Sequence, residues 1–208
     1  MTKLIIFDMD GVIFEKTNFW FDLHEKYGTY RDGKELTDRY LKSNYQKLVD
    51  EVVGRLWKGK DANELYKLIA NAKYIKGVKE TFEELKERGY MIIIISSGEK
   101  LLAERAKKDL GIDFVYANQL IIKDDKLAGQ FDWPVGDDKK DLILKLFCRM
   151  KKINLKDCTV VVQDENDRNL AKIVGNVIAF NPIDKEILRY TKQVVKKKDL
   201  RKILEFIE

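Results

Sequence analysis

The sequence predicts an α/β fold: a doubly wound parallel sheet of Rossmann-like type, with a small helical cap inserted after the first strand and a β-hairpin insert further on. Three observations carry this. Short apolar runs rich in β-branched residues recur along the chain, helical patterns fall between them, and the alternation breaks at only two places. At 208 residues the chain can bury the core of one large α/β domain with an insert.

The first run, Leu4 to Phe7, reads as a buried strand, as do Met91 to Ile95, Phe114 to Tyr116, Thr159 to Val162 and Val177 to Phe180. Between them, Thr81 to Arg88 reads as a helix ended by Gly89, and Glu99 to Leu110 as one ended by Gly111. Lys140 to Lys152 reads as an amphipathic helix through Leu142, Ile143, Leu146, Phe147 and Met150, with Cys148 as a small core residue. Strand alternating with helix points to parallel pairing. From about Asn18 to Tyr74 only helical patterns occur, including Asp61 to Glu64 with capping-box spacing. Leu120 to Leu127, two short runs around Asp124-Asp125-Lys126, reads as a hairpin. The division expected is a core of residues 1–16 and 76–208 with a cap of 17–75.

Composition excludes several classes. Charged residues make up 36% and hydrophobic residues 45%, which fits a globular protein and not a disordered one. The net charge of +5 is spread among acidic residues, and the one basic run, Lys196 to Lys198, lacks aromatic neighbours, so no nucleic-acid partner is expected. Two cysteines do not form a disulfide framework, no apolar stretch approaches a membrane span, and the start of the chain lacks a signal-peptide pattern. A cytoplasmic protein, monomer or homodimer, without a membrane partner is expected.

The chemistry is carried by strand ends. Asp8 and Asp10 directly follow the first run, and two carboxylates spaced by two in extended chain point to one side. Such close like charges need a cation, and a hard ion such as Mg²⁺ suits carboxylate and carbonyl oxygens. An Asp-rich turn is the bland alternative. After the second strand, Ser96-Ser97-Gly98 offers a hydroxyl and backbone N–H groups at a helix start, an anion cradle or simply an N-cap. Lys140 opens a helix against its dipole, which a nearby anion would explain, although Asp137, Asp138 and Asp141 also lie close in sequence. Thr159 to Val162 delivers Gln163 to Asp167, an acidic cluster suited to a metal or to a capped helix start.

In this order the four segments resemble the haloacid dehalogenase-like superfamily, and within it the phosphoserine phosphatase-like branch. The resemblance extends over essentially the whole chain, through Ala117 to Gly129 and Ile153 to Asp157. It implies a Mg²⁺-dependent phosphatase of a small phosphorylated metabolite, with Asp8 as nucleophile and Asp10 as general acid and base. Ser96, with Ser97, Gly98 and Gly11, would hold the phosphate, and Lys140 would neutralise its charge. Asp8, the Asp10 backbone carbonyl and Asp164 would hold the metal, with Asp167 in support. L-phosphoserine is the first substrate implied.

Departures from the branch pattern point to alternatives. Gly11 stands where a hydroxyl residue is usual, as in phosphoglycolate and sugar phosphatases. Thr17 stands where a substrate-binding glutamate would fall, with Glu15 nearby, and Arg55 is the candidate cap arginine. Gln163 replaces the usual glycine, and Asp167 follows Asp164 by three, which keeps open a weakly or non-catalytic phosphate-binding protein of the same fold. His24 is expected to pack or lie at the surface, Phe14, Phe19, Trp20 and Phe21 to form the insert's core or line a pocket, and Trp133-Pro134 to punctuate a loop.

Overall fold

The computed structural model describes residues 3–15, 18–136 and 139–208. Strand β1 (Leu4–Phe7) is wholly buried and leads into a run of helices: α1 (Phe19–Lys26), α2 (Tyr30–Tyr40), α3 (Tyr45–Val49), a π-helical stretch over Asp50–Leu56, and α4 (Asn63–Asn71). Alternation then begins with α5 (Val78–Glu87), β2 (Met91–Glu99), α6 (Lys100–Leu110) and the hairpin β3 (Phe114–Lys123) and β4 (Lys126–Asp132). It continues through α7 (Lys140–Lys151), β5 (Cys158–Val162), α8 (Arg168–Ala171), β6 (Asn176–Phe180) and β7 (Gln193–Val195).

One sheet results, ordered β4-β3-β2-β1-β5-β6-β7, parallel except for β4. Because alternate strand residues face opposite ways, Ile5, Phe7, Ile92 and Ile94 pack with Phe82, Leu85, Leu102 and Ala106 of α5 and α6 on one face. Leu4, Ile6, Ile93 and Ile95 pack with Leu144, Phe147 and Leu170 of α7 and α8 on the other. Each such fully buried side chain contributes about 1.5–3 kcal/mol. The chain runs outward from β1 in both directions, so β1 marks the switch point where such sheets open a crevice.

The predicted strands all form, and two extend further. β2 runs on to Glu99, which pairs with Asn118, and β3 continues from the sheet into the hairpin. The hairpin turns on Asp124 and Asp125, both at positive φ (51° and 56°), as a two-residue primed turn requires. β7 was not expected, since three residues are too few to show a period; Lys196 to Lys198 follow its end.

Two local readings are corrected. In α7 the buried face is Lys140, Leu144, Phe147 and Cys148, whereas Leu142, Leu146 and Met150 are 51%, 52% and 69% exposed. Apolar residues occupy two stripes of that helix, and packing against the sheet selects the one that carries the aromatic ring. At α4 the capping box does not close: Asp61 accepts the Asn63 N–H at 2.8 Å, while Glu64 pairs with Lys67 at 2.7 Å. Cys148 and Cys158 are buried free thiols with sulfurs 3.7 Å apart.

The helical insert has its own core. Trp57, 1% exposed, packs on His24 at 4.5 Å and Tyr27 at 6.0 Å between ring centroids. His24 Nδ1 lies 2.8 Å from Thr29 Oγ1, which also accepts the Trp57 indole N–H at 3.1 Å. Gly33 in mid-helix makes room for that imidazole, since a Cβ there would stand 2.2 Å from His24 Cε1. His24 is thus a packing residue, as expected.

Burial pushes the His24 imidazole down to about 4 from an ordinary 6.5. A depressed pKa means that the unfolded chain binds the proton more readily, so this stability is present above pH 6.5 and is lost as pH falls towards 4. Urea titrations of wild type at pH 7 and pH 4.5 are expected to show a loss of about 2–3 kcal/mol from this group. In His24→Asn that share of the loss should vanish; an unchanged pH dependence would refute the assignment.

Candidate active site

The site is assembled by register. Phe7 pairs with Ile94 of β2 and with Val161 of β5, so the residues after these three strands emerge side by side. The Asp8 N–H still donates to the Val161 carbonyl at 3.1 Å, holding the first aspartate in line with its strand. Beyond it the chain turns at Gly11, whose φ of +72° favours glycine.

Lys140 joins the two sides. Its ammonium, on a side chain 3% exposed, donates to Asp8 Oδ1 at 3.1 Å and to Asp167 Oδ1 at 2.6 Å. Burial alone would lower the lysine pKa, but the carboxylates of Asp167 and Asp8 outweigh it and hold the ammonium above its ordinary range. Burial pushes Asp167 up, and the Lys140 charge 2.6 Å from its Oδ1 pulls it back only in part, so its carboxyl stays raised. Asp167 Oδ2 is buried without a hydrogen-bond partner among the described residues.

The other acids are pushed the same way. Asp10 is raised to about 7, first by burial and then by the charge of Asp8, although its Oδ2 accepts the Phe19 N–H at 3.2 Å. Asp164 is raised by burial and by Asp8. Its side chain accepts the Asn166 N–H at 2.9 Å and so caps the turn that swings Asp167 under Lys140. Asp8, Asp10, Asp164 and Asp167 thus share one neighbourhood with, among the described residues, a single buried ammonium.

Gly98 lies beside Asp10 and Ser96: a Cβ built on it would stand 2.4 Å from Met9 Cε, 3.4 Å from Ser96 Oγ and 3.9 Å from Asp10 Oδ1. The predicted cradle at a helix start is corrected, however. Ser96-Ser97-Gly98 sits within the extended end of β2, and α6 begins only at Lys100, because Glu99 pairs across the sheet and caps the helix itself. The Ser96 hydroxyl accepts the Gly98 N–H at 3.2 Å.

Several residues support the site through contacts that the sequence did not show. Asn118, fully buried, donates to the carbonyls of Ser97 and Val135 at 3.0 Å, bracing the β2 end against the loop after β4. Trp20 donates its indole N–H to the Ser97 carbonyl at 3.3 Å, fastening the insert to the same point. Gln163 donates to the carbonyls of Gly11 and Asn181, both at 3.2 Å, and fills the space where a Cβ on Gly11 would fall 2.0 Å from its Oε1. The two departures from the expected motifs, Gly11 and Gln163, are therefore one packing solution.

The remaining residues separate. Phe14 and Phe19 are core, whereas Trp20 and Phe21 line a cavity, so the aromatic cluster divides between its two expected roles. Arg55 does not face that cavity; it pairs with Glu51 at 2.6 Å with a side chain 61% exposed, as the helical spacing of four dictates. Glu15 is exposed, with its N–H on the Lys73 carbonyl. Trp133 follows β4 in a loop, 5.0 Å from Tyr45 and under Lys139. Thr17, Asp137 and Asp138 lie outside the described residues.

An open parallel sheet that sets acidic strand ends and a buried lysine at its switch point places them where enzymes of the α/β class bind their ligands. The chain belongs to the haloacid dehalogenase-like hydrolases, whose family profile matches residues 5–172. It is 31% identical to a phosphoserine phosphatase of Methanocaldococcus jannaschii over 99% of this chain and 98% of that protein. It is 30% identical to one from Archaeoglobus fulgidus over 90% of this chain and 54% of that protein. Among solved structures, a phosphoserine phosphatase held as a phospho-aspartyl intermediate analogue superposes with a TM-score of 0.86 at 29% identity, covering 100% of this chain and 99% of the other. The apo form of a phosphoserine phosphatase gives 0.84 at 31% identity, with 100% of both chains covered.

Proposed function

We propose that this hydrolase removes phosphate from a small phosphomonoester in two steps through an aspartyl-phosphate on Asp8, with phosphoserine the first substrate. The observation that carries this is the Lys140 ammonium seated between Asp8 and Asp167 at the mouth of β1. The similarity to phosphoserine phosphatases along almost the full length of the chain supports the substrate.

In the first step an Asp8 oxygen attacks phosphorus, the ester P–O bond breaks, and the departing alcohol takes the proton of Asp10. Raised to about 7, Asp10 is protonated in about half of the molecules at neutral pH, where an ordinary carboxylate would have lost its proton almost entirely. In the second step water attacks phosphorus, Asp10 receives the water's proton, and the Asp8–phosphate bond breaks. Lys140 fixes the Asp8 carboxylate and offsets charge gathering on the phosphoryl oxygens, while Ser96 and the backbone around Gly98 face the same phosphate.

The donor set fits Mg²⁺. Four carboxylates share one ammonium, Asp8 raises both Asp10 and Asp164 by its charge, and hard oxygens are what this ion takes. Asp8, the Asp10 carbonyl and Asp164 would hold it, with Asp167 steadying Lys140. Among the described residues no three acidic, His or Cys side chains form a ligand trio. When bound, Mg²⁺ would neutralise phosphate charge during transfer.

The cap proposed is residues 17–75. Its neck is supported by the Ile75 N–H on the Ile13 carbonyl and the Glu15 N–H on the Lys73 carbonyl, both 2.9 Å, where the two crossings pair. No helix among the described residues is long and apolar enough to cross a membrane. Phosphate release from phosphoserine, measured with Mg²⁺ and after chelation, tests the proposal. Chelation is expected to lower the rate at least about hundredfold, with full recovery on adding Mg²⁺. A rate indifferent to chelation would refute the metal role.

A further inference from the structure

One guanidinium gathers the two crossings of the neck. Arg105, on α6 of the core, donates to the carbonyls of Ile69, Ala70 and Ala72 at the end of α4 in the insert, the last at 2.9 Å. The final carbonyls of a helix lack regular partners, and a planar, forked cation can take several at once. The same guanidinium lies 5.0 Å from the ring centre of Tyr74 and 5.7 Å from that of Phe14, and these two rings stack on each other at 4.8 Å. Asp109, one turn along α6, accepts the Tyr74 hydroxyl at 2.8 Å and lies 3.5 Å from Arg105.

Two routes lead from this cluster to Asp10. Through the backbone, Phe14 closes the turn after β1: its carbonyl accepts the Gly11 N–H at 2.9 Å and its N–H donates to the Met9 carbonyl at 3.1 Å. Phe14 also bridges Asp10 on one side and Tyr74 on the other. Through the insert, α4 packs on α1, and Phe19 at the start of α1 donates its N–H to Asp10 Oδ2 at 3.2 Å. The first route sets where the Asp10 backbone lies, and the second how its carboxyl is turned. An acid that must hand a proton to a departing oxygen needs both, because proton transfer requires hydrogen-bond reach.

We propose that Arg105 is a positioning residue for the acid: by holding the end of α4 and the stacked rings of Phe14 and Tyr74, it fixes Asp10 where it can protonate the leaving oxygen. The inference rests on the hydrolase reading above. Arg105 acts only through Phe14 and Phe19. A lysine in its place would keep the charge but could neither fork over several carbonyls nor stack as a plane.

The test compares p-nitrophenyl phosphate with phenyl phosphate, with phosphoserine as reference, all with Mg²⁺. The two aryl esters are close in shape, but p-nitrophenolate leaves readily as an anion whereas phenolate calls for a proton. kcat/KM reports the step in which the alcohol departs, and contacts with the insert nearly cancel in the ratio of the two. In Arg105→Met the ratio, p-nitrophenyl over phenyl, is expected to rise about tenfold or more above wild type, with phosphoserine falling at least as far as phenyl phosphate. Arg105→Lys should shift the ratio the same way by less, and it supplies the readout if Arg105→Met does not fold. A general loosening of the fold lowers both aryl esters alike. An unchanged ratio in the folded variants would therefore overturn the proposal, however large the loss of rate. If wild type hydrolyses none of the three esters, the hydrolase reading fails and takes this inference with it.

Discussion

Asp8→Asn is expected to reduce kcat on phosphoserine by at least about 10⁴-fold while leaving the fold intact. The substitution keeps the shape of the side chain and one oxygen for the Lys140 ammonium, which lies 3.1 Å away, but removes the carboxylate that would attack phosphorus. Nothing nearby can replace it. Asp10 is engaged by the Phe19 N–H and Asp167 is turned towards Lys140, so neither occupies the position that β1 gives to Asp8. Steady-state phosphate release measures the loss. A second readout separates nucleophile from bystander: acid-quenched enzyme fed labelled phosphoserine should carry hydroxylamine-sensitive phosphate in wild type and none in the variant. Comparable labelling of both proteins would mean that Asp8 does not receive the phosphoryl group.

Lys140→Met has the second largest expected effect, and it acts on stability as well as rate. The ammonium is the buried cation among Asp8, Asp10, Asp164 and Asp167, and removing it strands Asp167, which is fully buried with one oxygen already unpartnered. Loss of one partner from a buried ion pair costs about 3–5 kcal/mol. Urea unfolding is expected to show a loss of that size, and kcat to fall about 10²–10³-fold as the transferring phosphoryl group loses a charge partner. Adding Asp167→Asn to the variant should restore part of the stability but not the rate, because the buried charge is then gone while the phosphate remains uncompensated. Recovery of both together would mean that Lys140 serves only the fold.

The insert owes its position to both ends of this arrangement. Lys42 in the insert reaches Glu165 at 3.2 Å, and the indole of Trp20 reaches Ser97, so the helices are fastened beside the acidic loop and beside the β2 end. The Lys42 to Glu165 pair is exposed and contributes little to stability.

By itself, the sequence determined the sheet, the helices between its strands, the helical insert, and the strand ends that bear Asp8, Asp10, Ser96 and Asp164. These follow from periodicity and from the rule that a parallel strand ends in the crevice, both of which are local. Lys140 was visible too, as a cation at a helix start that needed an anion to justify it. Only the tertiary structure decided which apolar stripe of α7 faces inward, because Leu142, Leu146 and Met150 are as apolar as the residues buried in their place. It alone decided that Asn118 and Trp20 meet at the Ser97 carbonyl, and that Gln163 fills the space beside Gly11. Each of these contacts joins residues whose neighbours are chosen by how the packed elements meet, and no pattern within either segment encodes that choice. The same reason separates the reacting groups from the cavity beside them: the former sit at strand ends that the sequence marks, whereas the cavity exists only where the insert, β2 and the hairpin come together.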